Sequence, residues 1–262
     1  MVALRVALAF LTRFPVRLPA DLPPERLAAS SAFFPLAGWL LGGLQVLLAW
    51  GLLGLGATPL LAATVVVGFG AWLTRGLHLD GLADLCDGLG GSFEPGKRLA
   101  IMKDSATGAF GVIGLILLLL AKVAALAALL DGALGMASCG WPILQVSRLT
   151  GLVAAPVAAR WGMAALACGS TYPRAVGTGH AFVGRVRLWH LLGGAFFLLP
   201  LLAMDLRVAL VAILAVQLPA LGLRVQCDRA LGGVTGDVLG AACELGEAAG
   251  WIAVVLWIGR VI

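Results

Sequence analysis

Long uninterrupted apolar runs, separated by short polar connections, dominate this chain. Runs of roughly twenty apolar residues, the length that crosses a bilayer as a helix, occupy 32–55, 59–77, 108–130, 134–156, 188–204, 208–223 and 239–259. The 134–156 run is the weakest of them, and the short 188–204 and 208–223 runs could instead form a tight hairpin around Asp205 and Arg207. The pattern predicts an all-α integral membrane protein. It is read as one transmembrane domain over 1–262, a bundle of about seven crossing helices with short interfacial helices. The N-terminal segment sets Leu4, Leu8 and Leu11 on one side and Arg5, Thr12 and Arg13 off it, the pattern of a helix lying on a membrane surface. With no convincing small-residue cleavage site, it is not expected to be a secretory signal.

Composition agrees: 61% of the 262 residues are apolar and 12% charged. The five cysteines, Cys86, Cys139, Cys168, Cys227 and Cys243, have no C-x-x-C spacing and no pairing with histidine, so neither a zinc site nor a disulfide framework is expected. The net charge of +5 tempts a nucleic-acid reading, but its distribution explains it better. With seven crossings, Arg5, Arg13, Arg17 and Arg26, then Arg75, Lys97, Arg98 and Lys103, then Arg160, Arg174, Arg185 and Arg187, then Arg224 and Arg229 all fall on one side. An excess of Lys and Arg marks the cytoplasmic side, and most of the acids fall there too. No nucleic-acid partner is expected.

The chemistry-bearing stretch is HLDGLADLCDGLGG, from His78 to Gly91. In a helix, Asp80, Asp84 and Asp87 stand at i, i+4 and i+7, within about 60° of one another. Leu82, Leu85 and Leu89 take the opposite face, while Gly81, Gly88 and Gly91 edge the acidic one, where a bulky ligand could approach. Three like charges on one face call for a cation, and a hard divalent ion, Mg²⁺ bridging to a substrate phosphate, satisfies them. An acidic face meeting only water is the alternative. His78 falls on the leucine side and reads as a packed residue; Arg13, before a proline turn, reads as a snorkelling arginine.

Two further constellations lie on the same side. In RLAIMKDSATGAFG, from Arg98 to Gly111, Lys103 and Asp104 precede a helix start whose free N–H groups suit an anion. In RALGGVTGDVLGAACELGE, from Arg229 to Glu247, Asp237, Ala241 and Glu244 repeat the i, i+4, i+7 spacing after a glycine loop. Glu244 lies about two turns into the last span, where an unpaired carboxylate is costly. A metal ion, Arg148 or Lys122 is its expected partner; Lys122 reads as a structural ion pair inside the bundle ahead of a substrate contact, and Arg148 equally as either. The 161–187 connection reads as an ordered loop or lid.

The motifs LTRFPV, FFPLAG, GLHLDGLADLCDG, IMKDSATGAFG, and RALGGVTGDVLGA with ELGE closely resemble, in order and over nearly the whole chain, those of the cobalamin synthase family, the adenosylcobinamide-GDP ribazoletransferases. The resemblance implies a Mg²⁺-dependent enzyme of the bacterial or archaeal cytoplasmic membrane, its active site facing the cytoplasm. Such an enzyme joins adenosylcobinamide-GDP to α-ribazole or its 5′-phosphate and releases GMP. It implies Asp80, Asp84, Asp87 and Glu244 as metal ligands, and Asp104 or Asp237 as the base or part of a second metal site. It also implies Arg13, His78, Lys103, Arg148, Arg229, Gly233 and Thr235 as substrate contacts. A homo-oligomer or an assembly with other enzymes of the pathway is compatible with it. Ala106 departs from the family's arginine after Asp-Ser, so that phosphate contact is either missing or supplied by Arg98 or Arg174. The competing readings are a CDP-alcohol phosphotransferase or an Asp-rich prenyltransferase, and, in another class, an ion-coupled transporter using Lys122, Arg148 and Glu244 as its relay.

Overall fold

The computed structural model describes residues 2–19, 21–131 and 142–260, with the side chains of 142–144 left aside. Every regular element among the described residues is helical. The α-helices, in order, are α1 (Val2–Leu11), α2 (Pro24–Ala29), α3 (Phe34–Gly54), α4 (Pro59–Leu73), α5 (Leu77–Gly91), α6 (Pro95–Ile101), α7 (Ala109–Leu130), α8 (Pro142–Ala167), α9 (Leu188–Ala195), α10 (Leu199–Met204), α11 (Leu206–Leu231) and α12 (Gly236–Ile258), with 3-10 turns at Ser30–Phe33, Thr178–Ala181 and Phe196–Leu198.

Proline and glycine place the boundaries. Proline stands at the first or second position of α2, α3, α4, α6 and α10, where its missing N–H and fixed φ cost nothing. Thr58 adds a side-chain cap to α4 by accepting from the Leu61 N–H. Left-handed Gly232 (φ 78°) stops α11. Arg75 (φ 58°) and Gly76 (φ 67°) together turn the chain through 90° between α4 and α5.

Five helices, α3 with α2 before it, α7, α8, α11 and α12, are long and apolar enough to cross a membrane, so the protein is a multi-pass membrane protein. The expected count of seven is not matched helix for helix. The second expected span is the 15-residue α4, which reaches spanning length only together with the bent α5. The fifth is broken by a 3-10 turn at Phe196–Leu198 into α9 and α10. The fourth is shifted: its start, 134–141, lies outside the described residues, and α8 runs on to Ala167 instead of ending at 156. Arg160, expected in a loop, therefore lies inside the bundle.

Two helices form the interior. The membrane windows of α8 and α12 are 83% and 72% buried, against 28% for α7 and 39% for α11, which turn apolar faces outward. Close packing rests on small residues, the usual device where lipid supplies no hydrophobic drive between helices. A Cβ on Gly38 of α3 would stand 2.6 Å from the Pro156 carbonyl oxygen of α8, and one on Gly250 of α12 would stand 2.9 Å from the Ala155 Cβ. Cys86, Cys168, Cys227 and Cys243 are free thiols; Cys139 lies outside the described residues.

Candidate functional site

Helix α5 runs from the first turns of α12 to the first turns of α7. Gly81 lets α5 meet α12: an added Cβ would stand 2.8 Å from the Asp237 carbonyl oxygen. Gly240 of α12 lies against the backbone of His78 in turn. Farther along, Gly88 packs on α6 at the Arg98 carbonyl and Gly114 of α7 packs on Cys86. Gly81 and Gly88 therefore admit neighbouring helices, where ligand approach was expected.

This crossing gives the three aspartates different surroundings. Asp80 is exposed, Asp84 is half-buried and Asp87 is buried. Both Asp87 oxygens accept hydrogen bonds from the start of α7, from the Gly108 N–H at 2.7 Å and the Gly111 N–H at 2.8 Å. Those are two of the donors that a helix N-terminus leaves unsatisfied, and a carboxylate is the charge its dipole favours. Asp87, grouped by its spacing with the metal ligands, is thus engaged in fastening α7 to α5.

The second acidic motif arrives from α12. Thr235, fully buried, caps the helix by accepting from the Val238 N–H and donates to Asp237 Oδ2 at 3.2 Å. Arg174 pairs with the same oxygen at 2.9 Å. Arg174 arrives on the 168–187 connection, which docks on the glycine loop. The Val234 N–H donates to the Thr171 carbonyl at 2.9 Å, and Gly233 (φ 150°) leaves room for that carbonyl. Gly179 lies against Gly236. The connection is thus an ordered cover over the start of α12, as expected of 161–187, though shorter at its front. Burial pushes the Tyr172 phenol above its ordinary range.

At this junction Asp84 lies in the field of Asp237, Asp80 and Asp87, and Asp237 in that of Asp80. Arg174 is the cation paired there. Its Nε and second terminal nitrogen are buried with no partner, so the guanidinium keeps two donors for an acceptor yet to arrive. No three His, Cys, Asp or Glu side chains among the described residues stand close enough to hold an ion by themselves. The donor set nonetheless suits Mg²⁺, which takes one or two carboxylates, keeps water, and completes its shell with substrate phosphate oxygens.

Four expected site residues lie elsewhere. Glu244, expected on a metal, is buried in the bundle and pairs with Lys122 at 2.7 Å. Lys122 also pairs with Glu247 at 2.8 Å, and Glu247 with Arg160, giving a network of two cations and two anions. Arg148 belongs to the far end. Its neighbour Ser147 donates to Asp205 at the start of α11, and Gly151 touches Val254. At 1.5 Å per residue that level is about 26 Å along α12 from Asp237. Arg229 is exposed in a groove walled by Leu89, which stands on the α5 face opposite the aspartates. His78, 1% exposed, is the packed residue expected from its position; neither ring nitrogen has a partner.

The remaining candidates border the site. Lys103 and Asp104 are exposed between α6 and α7, with Asp104 accepting from the Ala106 N–H at 3.0 Å. Arg13 lays its guanidinium 4.1 Å over the Trp72 ring, one turn before α5. Of the two arginines able to replace the one missing at Ala106, Arg98 is engaged with the Ser92 and Ala230 carbonyls, whereas Arg174 stands at Asp237. Sequence reasoning undervalued Arg174 and missed Arg160. The Glu244/Glu247 pair, one turn apart on an apolar helix, was the signal that buried cations must face them.

Comparison with known proteins identifies the family. The family model described as cobalamin-5-phosphate synthase matches residues 3–255. The chain is 41% identical to the adenosylcobinamide-GDP ribazoletransferase of Syntrophobacter fumaroxidans, over 92% of this chain and 93% of that protein. It is 40% identical to that of Ectopseudomonas mendocina, over 98% and 99%, and 37% identical to that of Chlorobaculum tepidum, over 96% and 94%. No solved structure matches the chain. With a family model spanning nearly its whole length and relatives this similar end to end, the chain belongs to the cobalamin-5-phosphate synthase family and is an enzyme.

Proposed function

We propose that this enzyme transfers the cobinamide phosphate of adenosylcobinamide-GDP to the ribose 3′-hydroxyl of α-ribazole, or of its 5′-phosphate. The products are adenosylcobalamin, or its 5′-phosphate, and GMP. The observation that carries the reading is the meeting of α5 and α12 at Gly81, which puts Asp84 in the field of Asp237 and Asp80 and leaves Arg174 paired to Asp237 beside them.

The reaction cleaves the bond between the cobinamide-side phosphorus and the bridging oxygen, which leaves with GMP. The hydroxyl oxygen forms the new bond to that phosphorus and loses its proton. Such a transfer depends on in-line positioning and neutralisation of phosphate charge more than on covalent help. Asp84 and Asp237, with Asp80 nearby, would supply the one or two carboxylates that Mg²⁺ takes beside water and phosphate oxygens, and the ion would supply charge neutralisation on the diphosphate when bound. Arg174 offers its two unpartnered donors to those same oxygens, anchored by Asp237. Lys103 and Arg13, exposed at the rim, are assigned to the outer anionic groups. With Asp237 Oδ2 already engaged by Arg174 and Thr235, Asp104, exposed in the α6–α7 turn, is the assigned base. The Lys and Arg distribution supports an active site on the cytoplasmic side of the cell membrane.

Purified protein in detergent, given adenosylcobinamide-GDP, should release GMP only when both α-ribazole (or its 5′-phosphate) and Mg²⁺ are present. GMP release without the ribazole, or undiminished in EDTA, contradicts the proposal. A CDP-alcohol substrate turned over in its place would favour the phosphotransferase alternative.

A further inference from the structure

An open groove of about 760 Å³ lies on the leucine side of α5, between α5, α6 and the last turns of α11. Its walls are apolar, with Leu89 on one side and Leu221 and Val225 on the other, and Gly222 leaves its floor open: a Cβ added there meets nothing within 4 Å. Two arginines, Arg98 and Arg229, complete the lining together with Gln226, and no acidic residue is among its lining side chains. Arg98 is held in place by donating from Nε to the Ser92 carbonyl at 2.6 Å and from a terminal nitrogen to the Ala230 carbonyl at 3.1 Å. That leaves its other terminal nitrogen for a ligand.

The groove continues an outward-facing stripe. Leu206, Leu210, Leu214, Leu218, Leu221 and Val225 follow one another at three- and four-residue steps along α11, and each is exposed by 43% or more. From Leu206 to Val225 the stripe runs about 28 Å, close to the thickness of the hydrocarbon core of a bilayer. Arg229 lies one turn beyond its end, on the same face, at the level where lipid phosphates sit. An acyl chain along the stripe would therefore deliver its headgroup to Arg98 and Arg229.

We propose that this groove is a binding site for an anionic phospholipid, its phosphodiester held between Arg98 and Arg229 and one acyl chain laid along Leu221 and Val225. Charge complementarity selects this occupant. A zwitterionic lipid brings its own cation to a site with two arginines and no acid, whereas a phosphatidylglycerol headgroup brings only the anion. The proposal does not depend on the assignment of the reaction, because the groove and the aspartates lie on opposite faces of α5.

Native mass spectrometry of the detergent-purified protein, titrated with phosphatidylglycerol or phosphatidylcholine, tests it. Two interfacial arginines predict a preference for phosphatidylglycerol of roughly tenfold or more. R98Q/R229Q should abolish that preference. Because Arg98 also ties α6 to α11, Gly222→Leu provides a second variant: it fills the groove without touching those bonds and should weaken phosphatidylglycerol binding while thermal unfolding stays unchanged. Equal binding of the two lipids by the wild-type protein overturns the site, as does a preference that survives both variants. Displacement of phosphatidylglycerol by adenosylcobinamide-GDP would also overturn it, by making the groove a substrate site.

Discussion

Helix α12 carries two sets of acids that behave in opposite ways. At its first turn Asp237 meets Asp80 and Asp84 at the edge of the bundle, with Arg174 as paired cation and two of that arginine's donors unspent. Two and three turns farther on, Glu244 and Glu247 are almost wholly buried and matched one for one by Lys122 and Arg160, with Lys122 also 5.3 Å from the Trp251 ring. All are carboxylates; charge balance and access to water differ. The neutral network holds α7, α8 and α12 together, whereas the cluster at the first turn keeps more carboxylates than paired cations.

The sharpest way to break this contrast is to unbalance the buried set. Glu247→Ala leaves Lys122 and Arg160 facing one carboxylate, and removing one partner of a buried pair costs about 3–5 kcal/mol. Thermal unfolding in detergent should show that loss, and a variant as stable as wild type would mean the network is hydrated and not structural. Next come Asp84→Asn and Asp237→Asn, which should lower GMP release by roughly 10²–10³-fold, the scale of losing one charge-stabilising group, with little change in unfolding. A smaller effect of the structural kind is expected at Asp87, where Ala leaves the Gly108 and Gly111 N–H groups unpaired at a cost of about 1–3 kcal/mol. Were Asp87→Ala to spare stability while abolishing activity, Asp87 would rejoin the metal ligands. The smallest effect belongs to the exposed Lys97–Glu94 pair: Glu94→Gln should change stability by about 1 kcal/mol or less.

The sequence made the acidic helix legible because its spacing, i, i+4 and i+7, depends only on helical periodicity, and α5 is helical across it. What periodicity could not supply was depth. It put Asp87 beside Asp84 on one face, but only the arrival of α7 at Gly108 and Gly111 makes Asp87 a cap and leaves Asp84 half open. Arg160 shows the same gap. A lone arginine after Pro156 reads as the start of a loop, and only Glu247, arriving from 87 residues away, makes it an interior residue. The resemblance implies Arg148 and Arg229 as substrate contacts, whereas α8 carries the first to the far end of the bundle and α11 turns the second onto the other side of α5. The span count erred where apolarity and length part: 188–204 is apolar throughout yet broken at Phe196–Leu198, and α4 stops at 15 residues because Arg75 and Gly76 turn the chain.

The central proposal is that Asp84 and Asp237 help hold a divalent cation together with the substrate diphosphate, while Asp87 and Glu244 do not. Mn²⁺ titration followed by electron paramagnetic resonance, with adenosylcobinamide-GDP present, tests it most directly. Wild type and Glu244→Gln should bind Mn²⁺ alike, and Asp84→Asn and Asp237→Asn should weaken binding by roughly tenfold or more, as losing a hard anionic oxygen ligand requires. Unchanged Mn²⁺ affinity in Asp84→Asn and Asp237→Asn, or a loss in Glu244→Gln as large as theirs, would contradict the account.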